Sequence, residues 1–130
     1  MTRDVRAAVL RASLHPGLGV LHAAGDNREA CVYDLIEEFR APLAEGLMIY
    51  LFNNRILSRD DFGLRDGETR VVGEGGKKVI KGYESWLARP VKNPRTHRYT
   101  NWRGMILLQA RLLAKCVHEQ SPYEPYELDF

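Results

Sequence analysis

Cys31-Val32-Tyr33-Asp34-Leu35-Ile36-Glu37-Glu38-Phe39-Arg40 is the stretch whose reading decides the fold. Val32, Leu35, Ile36 and Phe39 recur three and four residues apart, which gives a helix one apolar side. Asp34 and Glu37 are three apart and share a different face, so two hard oxygen donors point the same way. Glu38 falls on another side, where it is expected to meet solvent or pair with Arg40. Separated from Asp34 by eleven residues, the run Gly19-Val20-Leu21-His22 ends on an imidazole. A histidine with one or two carboxylates suits Mg²⁺ or Mn²⁺. Acids at this spacing also describe an ordinary solvated helix face, and His22 a hydrogen-bonded structural histidine, so residue type and spacing leave both readings standing.

Outward from this stretch the pattern stays helical. Val5, Val9 and Leu10 predict an amphipathic helix over residues 4–13, stopped by Pro16 and Gly17, and residues 22–30 read as loop. Pro42 suits a kink or the first turn of a continuing helix through Leu43, Leu47, Met48, Tyr50, Leu51 and Phe52, the expected core helix. Ser58 caps a short turn with Asp61 in its third position. Asp66-Gly67, flanked by Leu64 and Val71-Val72, signals a hairpin. Val79, Ile80, Tyr83 and Leu87 predict a helix over residues 77–87, and residues 89–99, with Pro90 and Pro94, read as an exposed loop. Asn101 or Thr100 caps a last helix to about residue 117, with Met105, Leu108, Leu112 and Val117 toward the core. The expected fold class is all-α: one mainly helical domain over residues 1–130, with one short β-hairpin near residues 64–72.

Composition sets limits. With 130 residues, 45% hydrophobic and 28% charged, the chain can bury one modest core. No apolar run approaches the roughly 20 residues of a membrane span, and Met1-Thr2-Arg3-Asp4 does not start a secretory signal, so no membrane association and a cytoplasmic location are expected. Cys31 and Cys116 are too few for a zinc cluster and read as buried free thiols. Net charge is only +2, but from Lys77 to Arg111 every charged residue except Glu84 is basic. Asp34, Glu37, Glu38 and Glu45 lie in the other half. A metal-dependent enzyme acting on a polyanion has this distribution, and so do two solubilised helix faces. Tyr33 either stacks near nucleic acid or half-buries against the core, and Trp86 and Trp102 read as core. Gly73-Glu74-Gly75-Gly76 lacks a preceding buried strand and the lysine-serine/threonine ending of a phosphate loop.

Taken together, Leu14-His15-Pro16-Gly17-Leu18-Gly19-Val20-Leu21-His22 and Asp34-Leu35-Ile36-Glu37-Glu38-Phe39-Arg40 closely resemble the C-terminal helical region of the CRISPR adaptation integrase, or Cas-one endonuclease, family. Leu57-Ser58-Arg59-Asp60-Asp61-Phe62, Gly75-Gly76-Lys77-Lys78, Trp102-Arg103-Gly104-Met105-Ile106-Leu107-Leu108-Gln109-Ala110-Arg111 and Tyr123-Glu124-Pro125-Tyr126 resemble its later segments in the family's order. The resemblance implies the second half of a catalytic lobe. The family's β-rich N-terminal domain, and the helix bearing its first metal-binding glutamate, do not precede Met1; a fragment, a truncated copy and a split gene all fit. It implies Mg²⁺ or Mn²⁺ held by His22 and Glu37, with Asp34 as a neighbouring catalytic acid that positions rather than ligates. Lys77, Lys78, Lys81, Arg95, Arg98, Arg103 and Tyr33 are the expected DNA contacts. It further implies insertion of foreign DNA fragments into a CRISPR array in antiviral defence, a homodimer of the full-length protein, and a small Cas-two partner. The alternative is a catalytically inactive helical DNA-binding or assembly module.

Overall fold

Val5, Ala8 and Val9 stand at helical spacing and are all buried, which is why the chain opens with helix α1 (Thr2–Arg11) packed on the helices that follow. The computed structural model describes residues 1–20 and 29–127. Helix α2 (Ala30–Arg40) carries Cys31, Val32, Leu35, Ile36 and Phe39 into the same core. A wide π-helical turn (Ala41–Glu45) with Pro42 in its first turn leads into α3 (Gly46–Asn53). After a 3₁₀ turn (Arg59–Asp61) come strands β1 (Phe62–Arg65) and β2 (Glu68–Val71), then α4 (Gly75–Leu87), strands β3 (Pro90–Lys92) and β4 (Tyr99–Asn101), and α5 (Trp102–Glu119). The fold is mainly helical: α1, α2 and α5 enclose the main core, and each two-stranded antiparallel sheet is a small appendage. No helix among the described residues is long and apolar enough to cross a membrane.

Local signals produce local structure. Ser58 and Asp61 form a reciprocal capping box, with the Ser58 backbone N–H donating to Asp61 Oδ2 at 2.9 Å. In the first hairpin Arg65 pairs with Glu68 across Asp66 and Gly67, whose φ values of 54° and 78° are those of a primed turn. Asn101 caps α5 by accepting the Gly104 N–H at 2.9 Å. Gly75 lies so close to Asp61 that a β-carbon there would sit 2.8 Å from its backbone oxygen. Cys31 and Cys116 are buried free thiols.

Four expectations change. Leu10 is exposed, because Ala8 fills the third position of the α1 stripe. Helix α3 is not the core helix: Leu47 and Leu51 join Leu57 in a separate small cluster, while Ile49 and Phe52 are exposed. On α5 the buried side is Met105, Ile106, Gln109, Ala110, Leu113 and Cys116, with Leu108 and Val117 exposed, because the unbroken apolar run 105–108 permits more than one face. Residues 89–99 are not simply loop, since Pro90 pairs with Asn101 and Lys92 with Tyr99. Buried Asn93 organises the connection: its Oδ1 accepts the N–H groups of Arg95 and Thr96, and its backbone exchanges bonds with Arg98 and His97.

Candidate functional site

Helix α2 places three acids in three different surroundings. Asp34 is 6% exposed, and its Oδ2 accepts the backbone N–H of Val20 at 2.5 Å. Asp34 and Glu37 therefore do not share an open face: sixty degrees of helical rotation separates them, and the Val20 amide draws the shorter acid inward. On the other side of residues 21–28, Arg6 pairs with Glu29 at 2.5 Å and the Cys31 N–H donates to Pro16 O at 2.9 Å. Both flanks of that segment are thus tied to α1 and α2. His22 itself lies outside the described residues. Burial, reinforced by the Asp34 charge, pushes the Cys31 thiol up, which keeps it a protonated core group.

The Glu37 side chain is 53% exposed, with Arg40 Nη1 at 3.5 Å in an exposed pair of small energetic weight. It is a hard oxygen donor accessible from solvent, which suits one position of a Mg²⁺ or Mn²⁺ shell. Among the described residues, no group of three histidine, cysteine, aspartate or glutamate side chains converges to hold a metal.

Glu38 differs from its expected place. It is half-buried, and its Oε1 accepts the Tyr123 hydroxyl at 2.6 Å, while Oε2 accepts the Tyr126 N–H at 2.8 Å and Gln109 Nε2 at 3.0 Å. The acid is committed to the C-terminal segment, and Arg40 pairs with Glu37 instead. Burial and the adjacent carboxylate push the Tyr123 hydroxyl far above the ordinary phenol range, so it stays a donor.

The basic residues divide by partner. Lys77 pairs with Glu74 at 2.9 Å, and Lys78 reaches both oxygens of Asp61 at 2.8 and 2.9 Å. Arg103 bridges Glu84 at 2.6 Å and Asp4 at 3.3 Å, and Asp4 also accepts the Tyr83 hydroxyl at 3.0 Å. Arg95 holds Glu124 at 3.5 Å and donates to the Glu124 and Pro125 carbonyls. Lys81 and Arg98 are exposed and in no ion pair among the described residues. Tyr33 is exposed beside the α2 acids. Arg89 belongs to the basic run from Lys77 to Arg111, and nothing in the sequence marks it out from the other cations. Its guanidinium lies 4.1 Å from the ring centres of both Tyr50 and Trp86, in a cleft of about 370 Å³ shared with Lys78, Lys81 and Ser85.

The Asp61 carboxyl is held below the usual carboxylate range, first by the Lys78 hydrogen bond and then by the Ser58 N–H. A depressed carboxyl stabilises the fold above its unfolded pKa of about 3.9, and that contribution is lost as pH falls through the lower folded value. Lys78→Met is therefore expected to lower Tm at pH 7 and to lower it less at pH 3, below the unfolded pKa. Thermal unfolding at both pH values checks this, and a deficit unchanged with pH contradicts it.

These features define a helical module with an open surface carboxylate on α2 and cations along α4 and the following hairpin. The chain matches the family model described as CRISPR associated protein Cas1 over residues 1–85, and it belongs to that family. It is 32% identical over 127 residues to the CRISPR-associated endonuclease Cas1 3 of Thermus thermophilus, covering 97% of this chain and 38% of the relative. It is 31% identical over 126 residues to a CRISPR-associated exonuclease Cas4/endonuclease Cas1 fusion of Rhodospirillum rubrum, covering 97% of this chain and 22% of the relative. The chain thus spans well under half the length of these curated relatives. Its fold is that of a CAS1 protein from Thermotoga maritima, with a TM-score of 0.81 at 24% identity over 90% of this chain and 36% of the other. A casposase bound to integration product superposes with a TM-score of 0.82 at 20% identity, covering 99% of this chain and 38% of the other.

Proposed function

We propose that this chain supplies the C-terminal helical part of the catalytic lobe of a metal-dependent DNA endonuclease and integrase, which inserts foreign DNA fragments into a CRISPR array. Membership of the Cas1 family, together with the open Glu37 carboxylate beside the Asp34 anchor, is the observation that carries this reading. His22 and Glu37 are the two ligands this chain offers to Mg²⁺ or Mn²⁺, and the remaining positions fall to the segment its relatives carry upstream or to water. Such a cation, when bound, polarises the scissile phosphate and stabilises its developing charge. Asp34 holds the loop leading to His22 by its bond to Val20. The unpaired cations Lys81 and Arg98, together with the ring-stacked Arg89, neutralise phosphates without reading bases, and Tyr33 packs on the strand near the acids. Lys77, Lys78, Arg95 and Arg103 contribute less, because each already has a carboxylate partner. The partners are DNA, a second copy in the full-length protein, and a small Cas2 subunit, in the cytoplasm. The second reading, a helical DNA-binding or assembly module without catalysis of its own, rests on the chain's spanning only 38% of the length of the Thermus relative.

Strand transfer tests the first reading. Residues 1–130, joined to the upstream segment of the Thermus relative, should link a 3′-hydroxyl oligonucleotide to supercoiled plasmid only when Mn²⁺ or Mg²⁺ is present. Product that forms equally in chelator contradicts the reading. DNA affinity supplies a second test, because three phosphate contacts give a log–log salt slope of about −2.7, or roughly 40-fold weaker binding from 50 to 200 mM salt. Lys81→Ala, Arg89→Ala and Arg98→Ala together should remove about that much slope. Fluorescence anisotropy with a labelled duplex checks it, and a slope unchanged by the triple substitution would show that DNA lies elsewhere.

A further inference from the structure

We infer that the C-terminal segment around Tyr123 and Tyr126 is a clasp that positions Glu37, with Glu38 and Tyr123 as its positioning residues. This rests on the reading of Glu37 as a metal ligand. Glu37 has little of its own to hold it, since its ion pair is with Arg40 three residues along the same helix. Its direction therefore follows from whatever fixes the rotation of α2. Downstream, the backbone does this weakly: Pro42 has no N–H to give to the carbonyl four residues earlier, that of Glu38, and the helix opens there into the π turn of Ala41–Glu45. The buried apolar side of α2, with Val32, Leu35 and Phe39, sets the rotation of the helix as a whole, and two side chains that flank Glu37 hold its polar side in place. Asp34 binds the Val20 amide on one side of the helix, and Glu38 is filled by Tyr123, Tyr126 and Gln109 on another.

The clasp is built from both polar and apolar contacts. The Tyr126 ring stacks on Phe39 at 5.5 Å and meets Trp102 edge-on at 5.8 Å. Arg95 holds the intervening Glu124 and Pro125 from the second hairpin. Adjacent residues of a helix point about 100° apart, so an inward Glu38 fixes an outward Glu37. Filled on both oxygens, Glu38 is also unavailable as a ligand, which leaves Glu37 alone at the surface.

Two measurements on residues 1–130 test this together: amide hydrogen exchange across α2, and Mn²⁺ affinity by calorimetry. Tyr123→Phe removes one hydroxyl. It should raise exchange for residues 34–40 and weaken Mn²⁺ binding, each by about tenfold, the size expected for losing a hydrogen bond to a charged group, with α1 exchange unchanged. Glu38→Gln keeps the volume and should act in the same direction, and it decides the matter if Tyr123→Phe does not fold. Glu37→Gln is the control for the underlying reading. If Glu37→Gln weakens Mn²⁺ binding while Tyr123→Phe and Glu38→Gln leave affinity and α2 exchange unchanged, the clasp is overturned and the ligand reading stands. If Glu37→Gln has no effect, the ligand reading fails and the clasp, having no site to position, falls with it.

Discussion

Phe39→Ala is expected to remove about 3–5 kcal/mol of unfolding free energy, a large share of the roughly 5–15 kcal/mol that holds a domain of this kind together. Phe39 is fully buried at the centre of the main cluster, stacked on Tyr126 and edge-on to Trp102 at 6.5 Å. Its removal leaves a cavity and also strips the apolar backing from the segment that fills Glu38. The loss should therefore exceed that of a comparable truncation in the smaller cluster, such as Leu57→Ala, which touches neither α2 nor the C-terminal segment. Urea unfolding followed by tryptophan fluorescence gives both numbers. A loss below about 1 kcal/mol for Phe39→Ala would mean that the Tyr126 face is not packed as described.

What the sequence made legible is what short-range chemistry decides. The capping box of Ser58 and Asp61, the Asp66-Gly67 turn and the Asn101 cap each depend on residues no more than a few positions apart. Period alone located α1, α2, α4 and α5, because a single apolar stripe requires a helix to bury it. An ambiguous period does not single out the buried face. The run Met105-Ile106-Leu107-Leu108 admits several faces, and the hydrophobic α3 leaves Ile49 and Phe52 on solvent. The second hairpin was illegible because three-residue strands carry no period and owe their pairing to the buried turn at Asn93.

The site divides along the same line. That Asp34 and Glu37 belong to one helix could be read from spacing, but their different burial could not, since it depends on the Val20 amide fourteen residues back. Glu38 was less legible still: its partners Tyr123 and Tyr126 lie 85 and 88 residues away. Nothing in the local sequence marks it except the Tyr123-Glu124-Pro125-Tyr126 element, which signals a segment but not what it binds. Likewise the run of cations from Lys77 is plain in the sequence, while the carboxylates that occupy Lys78 and Arg103 come from distant elements.

The second large effect concerns the proposed ligands. In residues 1–130 joined to the upstream segment of the Thermus relative, Glu37→Gln and His22→Ala should each cut Mn²⁺-dependent strand transfer by more than about 100-fold, since even residues that only orient a metal ligand typically cost 10–100-fold. Glu37→Gln removes a charge with little change of shape, and Glu37 lies on the surface, so circular dichroism should be unchanged. Activity alone does not separate metal binding from DNA placement. Calorimetric titration of Mn²⁺ into residues 1–130 does, and it bears most directly on the claim that His22 and Glu37 hold the ion. Weak binding that falls further with either substitution, and no further when both are made together, is the predicted result. Tight binding that survives His22→Ala and Glu37→Gln would contradict it.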